Sequence, residues 1–302
     1  MSHKDTSIKS ILFALLANLG IAITKTVAAV VTGSGAMLAE SIHSFADCGN
    51  QGLLFLGLRA AKKKPDVEHP LGHGKEIFFW SFIVALILFS MGGLFSIYEG
   101  IHKISVHEGL KNPIIAIVVL LVSMVLEAAS LYGCLVQINK VKHNVSLWNW
   151  YKNSRRSELI LVLGEDVAAL LGLSLALISV VLSSVTGNHI FDAFGSIGIG
   201  VLLIVISFFL ATKVKSLLIG QSADNETCHE IKCFLEARPE IDRVYNLITL
   251  QLGPQIMVAI KAKMTLVDTV DQLIVNINTC ESELKKEYPA ILWVFFEPDI
   301  KN

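Results

Sequence analysis

The stretch Ile77–Ile97 reads IFFWSFIVALILFSMGGLFSI, 21 residues without one charge. A helix needs about 20 mostly apolar residues to cross the hydrocarbon core of a bilayer, so this stretch is expected to span a membrane. Outward from it, Ile114–Leu135, Leu159–Leu182 and Phe194–Leu210 have the same character. Ile11–Val31 qualifies despite Lys25, and Ser34–Leu58 qualifies if its polar residues face protein or water. The expectation is a polytopic α-helical membrane protein with six transmembrane helices. Composition agrees: 53% of the 302 residues are apolar and 17% charged, against about a quarter charged in a soluble chain. High hydrophobicity with a net charge of −1 excludes a disordered or nucleic-acid-coating protein. Five cysteines in so long a chain exclude a disulfide scaffold. The first span is too long for a secretory signal and lacks a small-residue cleavage site, so no signal peptide is expected.

Short loops set the orientation, because cytoplasmic loops carry the excess of Lys and Arg. Arg59, Lys62, Lys63, Lys64 and Lys75 follow span two, and Lys140, Lys142, Lys152, Arg155 and Arg156 lie between spans four and five. The opposite loops are nearly free of basic residues, which places both termini in the cytoplasm. Nothing resembling a targeting segment is seen, which favours a bacterial inner membrane.

From about Lys213 charges return and apolar runs shorten. Asn225–Ala237 reads as an amphipathic helix. Val244–Leu252 and Ile256–Met264 read as strands hinged on Gly253-Pro254. Thr269–Glu287 is a second helix and Ile291–Phe296 a final strand. This α-β-β-α-β order predicts a small cytoplasmic α+β domain over 213–302, after a membrane domain over 1–212. Residues 216–302 hold 13 acids and 8 bases, so nucleic acid is not an expected partner.

The informative residues are ionisable ones inside the spans: Lys25, Glu40, His43, Asp47, Glu127, Glu165 and Asp166. Each costs about 2.5–3.5 kcal/mol at mid-bilayer unless it faces a partner, water or an ion. Residues 38–47 read Leu-Ala-Glu-Ser-Ile-His-Ser-Phe-Ala-Asp. Steps of three and four put Glu40, His43 and Asp47 on one helical face. A carboxylate and an imidazole converging there suit a divalent metal; a proton relay or a structural polar network is the alternative. Asn50 and Gln51 are placed to orient such ligands. In span five Glu165 and Asp166 point about 100° apart on a helix; they are either further ligands or partners of Lys25. Glu127 either packs beside Lys25 or serves the metal.

The loop after span two reads Asp-Val-Glu-His-Pro-Leu-Gly-His-Gly-Lys over 66–75. Asp66, His69 and His73 in a glycine-rich turn can close on one ion, or stand as solvated surface groups. Cys228, His229 and Cys233 in the tail offer a soft-metal alternative on an amphipathic helix.

The span-two stretch, the loop His69-Pro-Leu-Gly-His73-Gly-Lys75 and the α+β tail resemble the cation diffusion facilitator family. Glu165-Asp166 and Ser216–Gly220 are similar to the branch containing zinc transporter nine. The resemblance implies export of a divalent cation, zinc foremost, in exchange for protons, by a homodimer that pairs through its cytoplasmic domains. It implies a transport site of His43 and Asp47 with Asp166, completed by Glu165 or Glu40 because Val162 stands at the partner position in span five. It assigns Asp66, His69 and His73 to a loop site. The family's cytoplasmic metal site is lost, with Tyr245, Lys261 and Phe295 at ligand positions and only Glu297 kept. The family's acidic partner of Lys75 is replaced by Ile219.

These residues suit alternating access, in which deprotonated ligands take the metal and protons displace it on the other side. A histidine, titrating near 6.5 when unperturbed, is fitted to that exchange. No catalytic nucleophile or triad is visible, so an enzyme is not expected, and no cofactor is expected beyond the transported ion. Three alternatives stay open: an exporter of Mn2+, Fe2+ or Co2+ by the same mechanism, a metal-sensing membrane scaffold that transports nothing, and a carrier of small organic cations. The absence of an aromatic cage argues against the last.

Overall fold

The computed structural model describes residues 3–105, 112–142 and 145–301, with side chains from residue 18 onward. Long helices dominate: α1 (His3–Thr32), α2 (Gly35–Ala60), α3 (Glu76–Ile87) continuing through a π-helical stretch at Leu88–Leu94 into α4 (Phe95–Ser105), and α5 (Pro113–Val141). A short α6 (Leu147–Asn153) precedes α7 (Ser157–Thr186) and α8 (Ile190–Gly220). The tail then runs α9 (Asn225–Glu236), β1 (Ile241–Leu252), β2 (Gln255–Met264), α10 (Val270–Glu287) and β3 (Ile291–Pro298). This is the α-β-β-α-β order expected.

Among the described residues, four helical runs combine length and apolarity sufficient to cross a membrane: Glu76–Ser105, Pro113–Val141, Ser157–Thr186 and the run beginning at Ile190. The chain forms two compact units. The first holds α1, α2 as far as Leu56, the helix from Trp80 through α4, α5, α7 and α8 to Val214. The second holds Gly57–Phe79, Val145–Ser157 and the chain from Lys215.

Within the helical unit, small residues permit close contact. A Cβ on Gly93 would meet Ile204 at 2.5 Å, and one on Gly200 would meet the Gly93 carbonyl at 2.6 Å. Side-chain-free positions let helix backbones touch where apolar solvent gives no reason to associate. The outward residues Ile114, Val118, Val122, Val125 and Tyr132 of α5 are exposed, as a lipid-facing surface requires. Asp192, in the first turn of α8, is buried; it accepts hydrogen bonds from Ser34 Oγ at 2.5 Å and the Gly35 N–H at 2.6 Å, capping α2. Lys103 donates to the Gly33 carbonyl in the same turn. This cap was not anticipated from the sequence.

In the second unit β1 pairs antiparallel with β2, and β2 parallel with β3. Gly253, with φ of +68°, turns the hairpin. Alternate residues of β2 (Ile256, Val258, Ile260, Ala262, Met264) are buried in a core with Ile231 and Leu235 of α9 and Cys280 and Leu284 of α10. Apolar alternation along β2 and helical spacing on α9 and α10 are what fold this unit. The seven-residue α6, capped by Ser146 and anchored by buried Trp150, was also unanticipated, being too short for a periodic signal.

Candidate metal centre

The helical unit forms a partly open cavity of about 210 Å³ among α1, α2, α5 and α7. It is lined by four carboxylates, Asp47, Glu127, Glu165 and Asp166, together with Ser44, Ser130, Asn18, Gln51 and the apolar Ile21, Leu126, Val162 and Ala169. The helical repeat delivers them: Asp47 and Gln51 lie four apart on α2, Val162 and Asp166 four apart on α7, Glu127 and Ser130 three apart on α5.

Each acid has a distinct setting. Glu165 is nearly buried and its Oε1 accepts from Asn50 Nδ2 at 2.7 Å. Asp166 is 8% exposed. Its Oδ1 accepts from Ser130 Oγ at 3.2 Å, and its Oδ2 is buried with no hydrogen-bond partner. Asp47 Oδ1 is likewise buried and unpartnered, while its Oδ2 lies 3.6 Å from His43 Nε2. Neither ring nitrogen of His43 has a hydrogen-bond partner. Buried polar groups are nearly always satisfied, so this concentration of unpartnered ligand atoms is specific to the region. Asp47 and Asp166 thus reach one cavity from two helices, and His43 stands beside Asp47 without lining it.

Glu40, expected on the same face as His43 and Asp47, turns elsewhere. Its Oε2 lies 3.3 Å from Lys25 Nζ, and that ammonium also donates to Ser44 Oγ at 2.8 Å. Lys25 and Glu40 are both fully buried. A step of three on a helix leaves neighbours about 60° apart, enough to send Glu40 toward α1 while His43 faces Asp47. Lys25 therefore pairs with Glu40, and neither Glu165, Asp166 nor Glu127 is its partner. The serines and Glu127 complete a lining that the sequence left open; their only signal was polarity at helical spacing inside apolar spans.

The loop residues sit in the second unit. Asp66 Oδ2 lies 2.9 Å from His73 Nε2, and Asp66 Oδ1 accepts from the His69 N–H at 2.7 Å. The His69 and His73 rings are 4.2 Å apart. Among the described residues this is the one group of three such side chains whose ligand atoms all lie within 4.8 Å. The hydrogen bond from His73, then that from the His69 backbone, holds the Asp66 carboxyl down at about 2. Two imidazoles and a carboxylate form a donor set suited to zinc. Gly74 fixes the loop in place: a Cβ there would sit 2.0 Å from the Leu252 carbonyl oxygen, and one on Gly253 2.2 Å from the Gly74 carbonyl. Lys75 Nζ reaches the Leu218 carbonyl at 3.5 Å near the end of α8, a cation at a helix C-terminus in place of an acidic partner.

On the tail sheet, Lys261 Nζ lies 2.8 Å from Asp299 Oδ2 and 3.9 Å from Glu297 Oε1. The hydrogen bond to Asp299 raises the lysine and lowers the aspartate from their ordinary values. Tyr245 donates to the Ile300 carbonyl. Of the soft-metal alternative, Cys233 lies 3.6 Å from His229 Nε2, but Cys228 turns to Thr249 and the Ala223 carbonyl, so the three do not converge.

Over 234 residues the chain is 33% identical to the human "Proton-coupled zinc antiporter SLC30A9, mitochondrial", covering 76% of this chain and 41% of that protein. It is 32% identical over 225 residues to "Metal tolerance protein C4" of Arabidopsis thaliana, covering 74% and 49%. "Magnetosome protein MamB" of Magnetospirillum gryphiswaldense is 24% identical over 266 residues, covering 86% and 83%. The chain thus spans less than half the length of the first two relatives. Residues 11–219, from within α1 to the end of α8, match the family model described as the cation efflux transmembrane domain, and on that match the chain belongs to the cation efflux family.

Proposed function

We propose that this protein exports divalent metal cations from the cytoplasm by proton-coupled antiport through alternating access. The carrying observation is the cavity in which Asp47 Oδ1 and Asp166 Oδ2, from α2 and α7, are buried without hydrogen-bond partners. Two carboxylates each keeping one buried oxygen unpartnered in a membrane domain are costly unless they take a cation in their working cycle. The names of the human and Arabidopsis relatives, a proton-coupled zinc antiporter and a metal tolerance protein, support the same class of substrate.

In this reading α1, α2, α3 with α4, α5, α7 and α8 are six spans, with both termini cytoplasmic and the second unit on that side of a cell membrane. Asp47 and Asp166 hold the ion, His43 joins them by a small rotation about its own side chain, and Asn50 orients Glu165. Because every ligand binds metal only when deprotonated, a proton arriving from the far side competes for the same lone pairs and releases the ion. Lys25 and Glu40 form a neutral buried pair that packs α1 against α2. The loop site of Asp66, His69 and His73 takes a metal near the cytoplasmic face. Lys261 supplies its own positive charge between Asp299 and Glu297, so the tail sheet holds no metal there and serves to pair two copies of the chain.

The test is uptake by sealed vesicles containing the full chain, with an imposed pH gradient and zinc as the ion. His43→Ala and Asp47→Ala are expected to abolish proton-driven uptake while leaving the purified protein folded. Near-normal uptake by both variants, or no uptake by the unaltered protein, rejects the proposal.

A further inference from the structure

Val162 and Asp166 lie four apart on α7 and both line the ion cavity, yet only the aspartate can bind a cation. The remaining lining is unusually rich in oxygen. Asp47, Glu127, Glu165 and Asp166 are joined by the hydroxyls of Ser44 and Ser130, whereas the one nearby imidazole, His43, is not part of the lining. Glu127 comes from α5, a helix beyond the two that carry the other acids. Its placement is anchored one turn further on, where Ser130 Oγ donates to Asp166 Oδ1 at 3.2 Å. That bond holds the Glu127–Ser130 face of α5 against Asp166, and Glu127 lies within electrostatic reach of both Asp47 and Asp166. The second observation that points to a ligand is Asp166 Oδ2, buried, unpartnered and in the same lining.

Resting on the transport reading above, we propose that Glu127 is an ion-binding residue of this cavity, and that the oxygen lining it completes makes hard divalent cations of the Mn2+ type substrates alongside zinc. Zinc is satisfied by four donors and favours imidazole, so His43, Asp47 and Asp166 can serve it with one further oxygen. Mn2+ takes about six oxygen donors and gains from each added carboxylate. Three carboxylates and two hydroxyls leave such an ion short; Glu127 supplies the missing anionic oxygen. Four acids also give the cavity a formal charge that one divalent ion halves, so the ion is favoured electrostatically whatever its softness. Asp47 and Asp166 are then shared by both metals, and Glu127 is the residue on which Mn2+ depends.

The experiment loads sealed vesicles of the full-length protein with a pH gradient and measures Mn2+ and Zn2+ uptake for the unaltered chain, Glu127→Gln and Glu127→Asp. Glu127→Gln is expected to cut Mn2+ uptake at least tenfold and Zn2+ uptake by a distinctly smaller factor, and Glu127→Asp to restore part of the Mn2+ flux. Elution of the purified variants at the volume of the unaltered chain, with partial rescue by Glu127→Asp, shows that the substitution leaves the protein folded. In parallel, loss of the free-ion paramagnetic resonance signal of Mn2+ reports binding to the detergent-purified protein, and Glu127→Gln should weaken it by a similar factor. Uptake of Zn2+ but not Mn2+ by the unaltered chain overturns the inference and leaves metal antiport standing. Mn2+ flux or binding unchanged in Glu127→Gln, or equal losses for both metals, also overturns it. No flux of either metal from the unaltered chain overturns the transport reading and this inference together.

Discussion

Replacing Lys25 by methionine separates the buried ion pair from the ion cavity beside it. Lys25 and Glu40 are both fully buried, with Nζ to Oε2 at 3.3 Å. At that distance and an effective dielectric of about 20, their attraction is about 5 kcal/mol. The methionine keeps the length and packing of the lysine stem, and loss of the ammonium returns its own desolvation cost, so the net loss is smaller than the attraction. The orphaned Glu40 carboxyl must take up a proton to remain buried. From an ordinary glutamate value of about 4.3, that costs about 3.7 kcal/mol at pH 7 and about 1 kcal/mol at pH 5. This lies in the range of about 3–5 kcal/mol found when one member of a buried pair is removed. The sign follows from linkage: unfolded Glu40 ionises above about 4.3 while the buried orphan stays protonated, so the deficit of the variant grows as pH rises and fades as pH falls toward 4.3. Denaturant unfolding of the detergent-purified chain at pH 7 and pH 5 measures it, with Lys25→Met/Glu40→Gln expected to recover most of the loss at pH 7. A deficit below about 1 kcal/mol at pH 7, an equal deficit at both pH values, or no recovery in the double variant would refute the reasoning.

Asp166→Asn should abolish metal uptake outright, because its Oδ2 is buried in the cavity without a partner, whereas Glu165→Gln should retain part of it, since that carboxylate is already held by Asn50; equal losses in vesicle uptake at every pH would reverse this ranking. Asp66→Ala or His73→Ala should remove about one bound zinc per chain from the loop, read by calorimetry on the full protein. Because Asp66 is held at about 2, it stays ionised from pH 3 upward and its own contribution to stability is lost only as pH falls from its unfolded value near 3.9 through about 2. Zinc affinity at the loop should fall with acidification, because its ligands bind metal only when deprotonated. Gly74→Ala should cost about 1–3 kcal/mol, as its Cβ would lie 2.0 Å from a backbone oxygen that no rotamer change can move; thermal unfolding within half a degree of the unaltered chain would show that the loop does not sit against the β1–β2 turn.

The helices and the tail were legible in the sequence because their signals are local. An uncharged run such as Ile77–Ile97 leaves the backbone no way to satisfy its own hydrogen bonds in lipid other than as a helix. The alternation Ile256, Val258, Ile260, Ala262, Met264 likewise demands a sheet with one buried face. Asp66, His69 and His73 were legible together because eight residues of turn bring them together without help from the rest of the chain. The π-helical stretch and α6 were not, since the first depends on the close approach of α8 at Gly93 and the second is too short to carry a period.

Which acid faces which partner belonged to the tertiary structure alone. Helical spacing put Glu40, His43 and Asp47 within one broad face, but about 60° decides whether a carboxylate meets an ammonium on α1 or lines the cavity, and that angle is set by how α1 packs on α2. The same holds for Glu127: its sequence says only that a charge lies in an apolar span, while the bond from Ser130 to Asp166 places it in the cavity lining. The sequence by itself determined that charges in the spans must be compensated, because an unpaired charge in hydrocarbon costs several kcal/mol wherever it sits. Tertiary structure decided how, because electrostatic attraction falls with distance and only the packed helices fix the distances.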